Sequence, residues 1–186
     1  MKRLFDFTCS LIALTLLAIP MLIIALLIRL TSPGPVIYWS NRVGRENHIF
    51  RMPKFRTMRI DTPAMATHLL GDPARWLTPV GKFLRKSSLD ELPQFWSILH
   101  GEMSIVGPRP ALFNQDDLVA FRTGKGVHRL TPGLTGWAQI NGRDELPIPV
   151  KVNFDAYYAV NSTFLLDLKI IVLTFVKVAR REGVTH

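Results

Sequence analysis

Thiol chemistry is all but missing from this chain, whose one cysteine is Cys9. No intrachain disulfide can form, a cysteine-rich metal site is excluded, and a reducing, cytosol-facing setting suits the protein. Acidic residues are also sparse, 14 Asp and Glu against 23 Lys and Arg, for a net charge of +9. That balance points to an anionic partner: nucleic acid, an anionic membrane surface or a phosphorylated substrate. Internal repeats are absent, and alternating strand patterns are scarce. What is abundant is apolar: 48% of residues are hydrophobic and the mean hydropathy is +0.19. Nucleic-acid binders seldom combine such hydropathy with such charge, so the composition favours a membrane. At 186 residues the chain fits one domain that can bury a core without disulfides or structural metals.

The apolar residues concentrate first at the N-terminus, where Phe7 to Ile28 carry no charge over 22 positions, bracketed by Lys2, Arg3 and Asp6 before and Arg29 after. At about 1.5 Å rise per residue, that length crosses a hydrocarbon core of roughly 30 Å. A cleaved secretory signal would have a shorter apolar region and a small-residue cleavage site, which Ile28 does not precede. Pro20 lies near the middle of the run and removes a backbone donor, so a kink or break is expected there. Basic residues flank both ends, with Arg42 and Arg45 following Arg29, whereas a true span carries a one-sided excess. Two shapes satisfy these facts: a kinked spanning helix, or a re-entrant helix-break-helix that enters and leaves by one face.

Thr31-Ser32-Pro33-Gly34-Pro35 ends the run with turn residues, and Val36 to Trp39 reads as a short strand or an interfacial aromatic patch. Beyond it, helices are expected over Pro79 to Lys86, Pro93 to Leu99, Ala111 to Thr123, Val150 to Val160 and Leu165 to Arg181. The expected fold is mostly α with short β elements: a membrane-embedded helical segment at residues 1–32 and a compact domain at 33–186. The last helix is apolar from Ile170 to Val176, too short to span, and ends in Arg180 and Arg181. It reads either as an amphipathic helix lying in the membrane interface or as a buried core helix.

The densest polar stretch is Arg85-Lys86-Ser87-Ser88-Leu89-Asp90-Glu91-Leu92-Pro93-Gln94. Pro93 is comfortable only in a first helical turn, which puts Asp90 and Glu91 at or just before a helix N-terminus, where exposed N–H groups favour anions. Adjacent helical residues diverge by about 100°, so the two carboxylates should do different work. Ser88 and Glu91 also match a capping box, which would make them purely structural, and Arg85 and Lys86 would serve equally as a solvated basic face. Three loops rich in glycine and arginine follow: Gly107-Pro108-Arg109-Pro110, Thr131 to Trp137, and Asn141-Gly142-Arg143. Arginine presents a fork of donors suited to phosphate oxygens, and glycine lets backbone amides approach them.

Lys54-Phe55-Arg56-Thr57-Met58, Ser88 to Gln94, Gly101 to Pro110, Pro132 to Arg143 and Tyr157-Tyr158 together resemble the bacterial sugar transferase family, monotopic phosphoglycosyl transferases acting on polyprenyl phosphate. The resemblance runs nearly end to end and matches a minimal form without the additional N-terminal transmembrane region of larger relatives. It implies that Asp90 is a nucleophile on the β-phosphate of a UDP-sugar, releasing UMP and holding a covalent phosphosugar that polyprenyl (undecaprenyl) phosphate then collects. Glu91 would assist the second step through the acceptor's proton or the metal. Mg2+, with Asp90 as ligand, would offset phosphate charge. Arg85, Arg109 and Arg143 are the phosphate-binding candidates, with Gly107 and Gln139 beside them.

The resemblance also favours the re-entrant hairpin, broken at Pro20, in the bacterial inner membrane with the catalytic domain on the cytoplasmic face. Ile19 stands before Pro20 where the family often has Ser. The expected partners are the UDP-sugar, the polyprenyl phosphate and the lipid bilayer, with no nucleic acid; a homodimer stays open. The donor sugar would be chosen by the loops between Asp61 and Trp76 and between Asp144 and Pro149. Two other readings compete. A basic membrane-surface binding module leaves Asp90 and Glu91 without a purpose, and a nucleic-acid binder is opposed by the apolar N-terminus.

Overall fold

A proline bends the N-terminal segment, and the bend lies one turn ahead of it. In the computed structural model, which describes residues 1–63, 72–142 and 146–180, helices α1 (Lys2–Leu16) and α2 (Ala18–Thr31) meet at 60°. The hinge is Leu17 (φ −92°, ψ 4°). Pro20, in the first turn of α2, has no N–H for the Leu16 carbonyl, and its ring presses on that same carbonyl, so the ladder opens there. The break expected at Pro20 therefore falls at Leu17. Among the described residues no single helix is long and apolar enough to cross a membrane; the bent pair together has the length and composition.

After the Ser32–Pro35 turn, β1 (Ile37–Val43) and β2 (Ile49–Phe55) form an antiparallel hairpin in register from Ile37↔Phe55 to Val43↔Ile49. A two-residue strand, β4 (Ala111–Leu112), adds to the other side of β1, giving the order β2-β1-β4. Pro53 cannot donate to a ladder, and β2 tolerates it because it is an edge strand. A second small sheet pairs β3 (Ser104–Val106) in parallel with β5 (Gly133–Thr135). The remaining helices are α3 (Gly81–Lys86), α4 (Gln94–His100), α5 (Asp116–Gly124), α6 (Trp137–Ile140), α7 (Ile148–Asn161) and α8 (Phe164–Arg180). The architecture is mostly helical with short strands. The helix expected from Ala111 starts only at Asp116, since Ala111 and Leu112 pair with Val43 and Arg42.

Ile24 and Ile28 of α2 pack with Phe55 and Leu84, and Leu89 and Leu92 lean on the same cluster. Helix α2 thus packs directly on β2, on α3 and on the Leu89–Leu92 turn. Helix α8 has one buried and one exposed apolar face. Ile170 joins Val106, Ile140 and Tyr158 in a second cluster, while Leu165, Val172 and Phe175 are exposed.

Candidate active site

Leu89 and Leu92 are apolar anchors, and the two residues between them are the acidic pair. The chain reaches this turn through Ser88, held in the left-handed region at φ 57°, then makes a single 3-10 turn over Leu89–Glu91. Pro93 caps α4, with φ −61°. The capping box does not form: Ser88 makes no side-chain cap bond, and the Glu91 carboxylate is engaged elsewhere. Anchoring on both sides presses Asp90 inward until only 8% of it is exposed.

Two cations converge on Glu91. Its Oε1 accepts from Lys54 Nζ at 2.8 Å and from Arg109 Nη2 at 3.0 Å. Lys54 comes from β2, opposite Tyr38, and Arg109 from the loop after β3. Burial would raise the Glu91 pKa, but Lys54 and Arg109 outweigh it and hold this carboxyl well below the usual range. Asp90 behaves oppositely: burial pushes its pKa up to about 6, helped by the Glu91 charge and only partly opposed by Lys54, Arg85 and Arg109. Burial likewise pushes the Lys54 ammonium down, with Glu91 holding it charged. Neighbours in sequence are thus a permanently ionised ion-pair centre and a carboxylate poised near neutrality.

Arg85, from α3, donates Nε to Thr57 Oγ1 at 3.0 Å and interacts electrostatically with Asp90. Arg109 is held from behind, its carbonyl accepting from Arg122 Nη1 at 2.7 Å. Arg122 in turn donates from Nη2 to the buried Asp155 at 2.6 Å and from Nε at 3.0 Å, which ties α5 to α7. The loop before Arg109 is fixed by backbone contacts: Gly107 donates to the Thr135 carbonyl at 2.8 Å and Gly133 to that of Pro108 at 2.9 Å. A Cβ on Gly107 would collide with the Thr131 carbonyl, and one on Gly136 with the Gly107 carbonyl.

The structure brings together four of the expected residues, Asp90, Glu91, Arg85 and Arg109. Gly107 lies beside them, but its amide is given to Thr135, and its lack of a side chain answers to the close approach of the two strands. Gln139 is buried in α6, with Nε2 donating to the Leu134 carbonyl at 3.3 Å and Oε1 without a partner among the described residues. Arg143 lies outside the described residues. The residue that sequence reading missed is Lys54. It stood within a recognised motif, but only strand pairing shows it reaching a carboxylate 37 positions away.

The sequence that carries this site is similar to those of known proteins. The Bacterial sugar transferase family model matches residues 1–181. The chain is 40% identical over 184 residues to "Uncharacterized sugar transferase EpsL" of Bacillus subtilis, covering 99% of this chain and 90% of that protein. It is 39% identical over 185 residues to the "UDP-glucose:undecaprenyl-phosphate glucose-1-phosphate transferase" of Escherichia coli, covering 95% of this chain and 40% of the relative. With the "Undecaprenyl-phosphate galactose phosphotransferase" of Salmonella typhimurium it shares 36% identity over 203 residues, 98% of this chain and 41% of the relative. The chain therefore spans nearly the whole of one relative and about two-fifths of the other two. On the family match along almost its full length, the chain belongs to the bacterial sugar transferase family.

Proposed function

We propose that the protein transfers a sugar 1-phosphate from a UDP-sugar to undecaprenyl phosphate, releasing UMP, through a phosphosugar held on Asp90. The observation that carries this reading is the division of labour in the acidic pair, because among the described residues the Lys54 and Arg109 ion pairs both end on Glu91 and leave Asp90 to meet a substrate. An ionised Asp90 oxygen attacks the β-phosphorus of the donor. The bond from that phosphorus to the bridging oxygen breaks, and UMP leaves with the electron pair. An oxygen of the lipid phosphate then attacks the same phosphorus and displaces Asp90, regenerating the carboxylate and forming the lipid diphosphosugar. Arg109 and Arg85 bind phosphate oxygens as charge shifts between them. Glu91, whose carboxyl Lys54 and Arg109 hold below the usual range, keeps those two cations in place.

The residues fit Mg2+. Among those described, no three His, Cys, Asp or Glu side chains cluster, and within the acidic pair Asp90 is the carboxylate that Lys54 and Arg109 do not engage by an ion pair. One carboxylate completed by substrate phosphates is an ordinary Mg2+ arrangement. Bound there, the ion would offset the charge of the diphosphate.

The acceptor's lipid tail calls for a bilayer, and the exposed apolar residues supply a face for one. Leu16, Ile19, Leu22 and Leu30 of the bent pair and Leu165 and Phe175 of α8 are all exposed. Phe5 and Phe164 meet edge to face at 5.3 Å, joining the two surfaces. We read the pair as re-entrant in the inner membrane, with the acidic pair on the cytoplasmic side, where UDP-sugars are made.

The test is UMP release from a panel of UDP-sugars by nanodisc-embedded protein with Mg2+ and undecaprenyl phosphate. The wild type is expected to release UMP, and Asp90→Asn to lose on the order of 10³-fold or more. Full activity of Asp90→Asn would overturn the nucleophile assignment.

A further inference from the structure

Asp6 is a carboxylate placed at the edge of the longest apolar run in the chain, and it is 3% exposed. Burying a carboxylate is costly unless its oxygens are satisfied. Its partners are neutral and belong to one element. Oδ1 accepts from the backbone N–H of Ile105 at 3.0 Å, and Oδ2 from Ser104 Oγ at 2.8 Å. The pairing of β3 with β5 runs through Ser104 and Val106. Ile105 lies between them, so its N–H points to the strand's open edge. The side chain of Asp6 takes the place of a third strand there.

Strand β3 leads directly into Gly107-Pro108-Arg109, and Arg109 is one of the two cations on Glu91. Beside the backbone bonds of Gly107 and Gly133, Arg109 is thus supported by Arg122 at its own carbonyl and by Asp6 at the strand that carries its loop. The same helix, α1, also grips the far end of α4, the helix that follows the acidic pair. Arg3 donates to the Ile98 and Leu99 carbonyls at the C-terminus of α4, at 2.5 and 2.7 Å. Helix α1 is therefore the shared reference for α4, which follows Glu91, and for β3, which precedes Arg109.

We infer that Asp6 is a positioning residue, one that sets Arg109 against Glu91 and the donor phosphate by holding β3. The inference rests on the phosphate-binding role proposed for Arg109. Atomic misplacement of about 1 Å at a reacting centre can cost on the order of 10²-fold in rate. A positioning role predicts a loss in kcat that runs through Arg109 and nothing else.

The experiment is a double-mutant cycle on the full chain in nanodiscs, reading kcat and donor KM with the UDP-sugar that gives the fastest UMP release. Asp6→Ala is expected to lower kcat about tenfold or more with a smaller change in KM. Asp6→Asn, whose amide oxygen still accepts from Ile105 and whose nitrogen can donate to Ser104, should stay within about threefold of wild type. In an Arg109→Gln background, Asp6→Ala should change kcat by less than about twofold. If its effect instead multiplies undiminished in both backgrounds, Asp6 is structural and the inference falls while the role of Arg109 stands. If Arg109→Gln alone keeps wild-type kcat, the Arg109 assignment falls first and this inference with it. Should Asp6→Ala fail to unfold cooperatively, Ser104→Ala, which removes one donor and leaves the Ile105 bond, takes its place in the cycle under the same criteria.

Discussion

Asp90 and Glu91 share a backbone bond and nearly opposite electrostatics, and the difference comes from what surrounds each. Burial dominates Asp90, whereas for Glu91 the same burial is overcome by Lys54 and Arg109. In the proposed reaction Asp90 attacks as the carboxylate, and its pKa is raised from 3.8 to about 6. Donor kcat/KM should therefore be level above neutrality and fall about tenfold per pH unit below about 6, read as UMP release across a pH series. A profile flat to pH 5 would contradict this.

The stability contributions have opposite signs. Asp90 costs stability when ionised, a cost that fades as pH falls through about 6 toward 3.8. Glu91 contributes stability above its usual 4.5 that is lost as pH falls below that value. Lys54 is the largest influence lowering the Asp90 pKa. Lys54→Met should thus move the acid limb of activity above pH 6, as well as lowering kcat/KM by about 10-fold to 100-fold. An unmoved limb would show that Lys54 does not act on Asp90.

Among the elements, the small parallel pair β3 and β5 does most to place the site, because the Arg109 loop leaves from it. Its tightness rests on missing side chains. A Cβ on Gly133 would strike the Gly107 amide and lie 2.6 Å from its Cα, backbone atoms with no room to yield. Gly133→Ala is expected to destabilise the fold by about 2–3 kcal/mol, measured by thermal unfolding in detergent. A change below about 0.5 kcal/mol would mean that the strands can separate without cost. Sequence reading saw these glycines as phosphate cradles, since a turn glycine and a strand-packing glycine look alike until the partner strand is known. It gave no strand at β2, where Pro53 disfavours one, and only the sheet order makes that strand an edge. The helices fared better: α4, α7 and α8 start and end within about two residues of expectation, since capping prolines and apolar spacing are local signals.

At the scale of the whole molecule, the bent N-terminal pair is part of the catalytic core. Ile28 of α2 is fully buried beside Phe55 and Leu84, with Leu89 and Leu92 leaning on the same cluster. Ile28→Ala should cost about 2–5 kcal/mol in detergent unfolding and lower UMP release as well, because the cavity lies under the turn that carries Asp90 and Glu91. Loss of stability with undiminished turnover would separate the hairpin from the site.

The sequence by itself determined the apolar N-terminal segment and its proline, the positions of most helices and the motif that names the family, because each is written in neighbouring residues. It also marked Asp90, Glu91, Arg85 and Arg109 as site candidates. Tertiary structure decided which of the two carboxylates meets the cations, that Lys54 is one of them, and that Asp6 supports the strand behind Arg109. Those facts depend on residues 18 to 99 positions apart in the chain coming within hydrogen-bond distance. No local pattern encodes such distances. They follow from how the bent N-terminal pair, the two small sheets and α4 pack together.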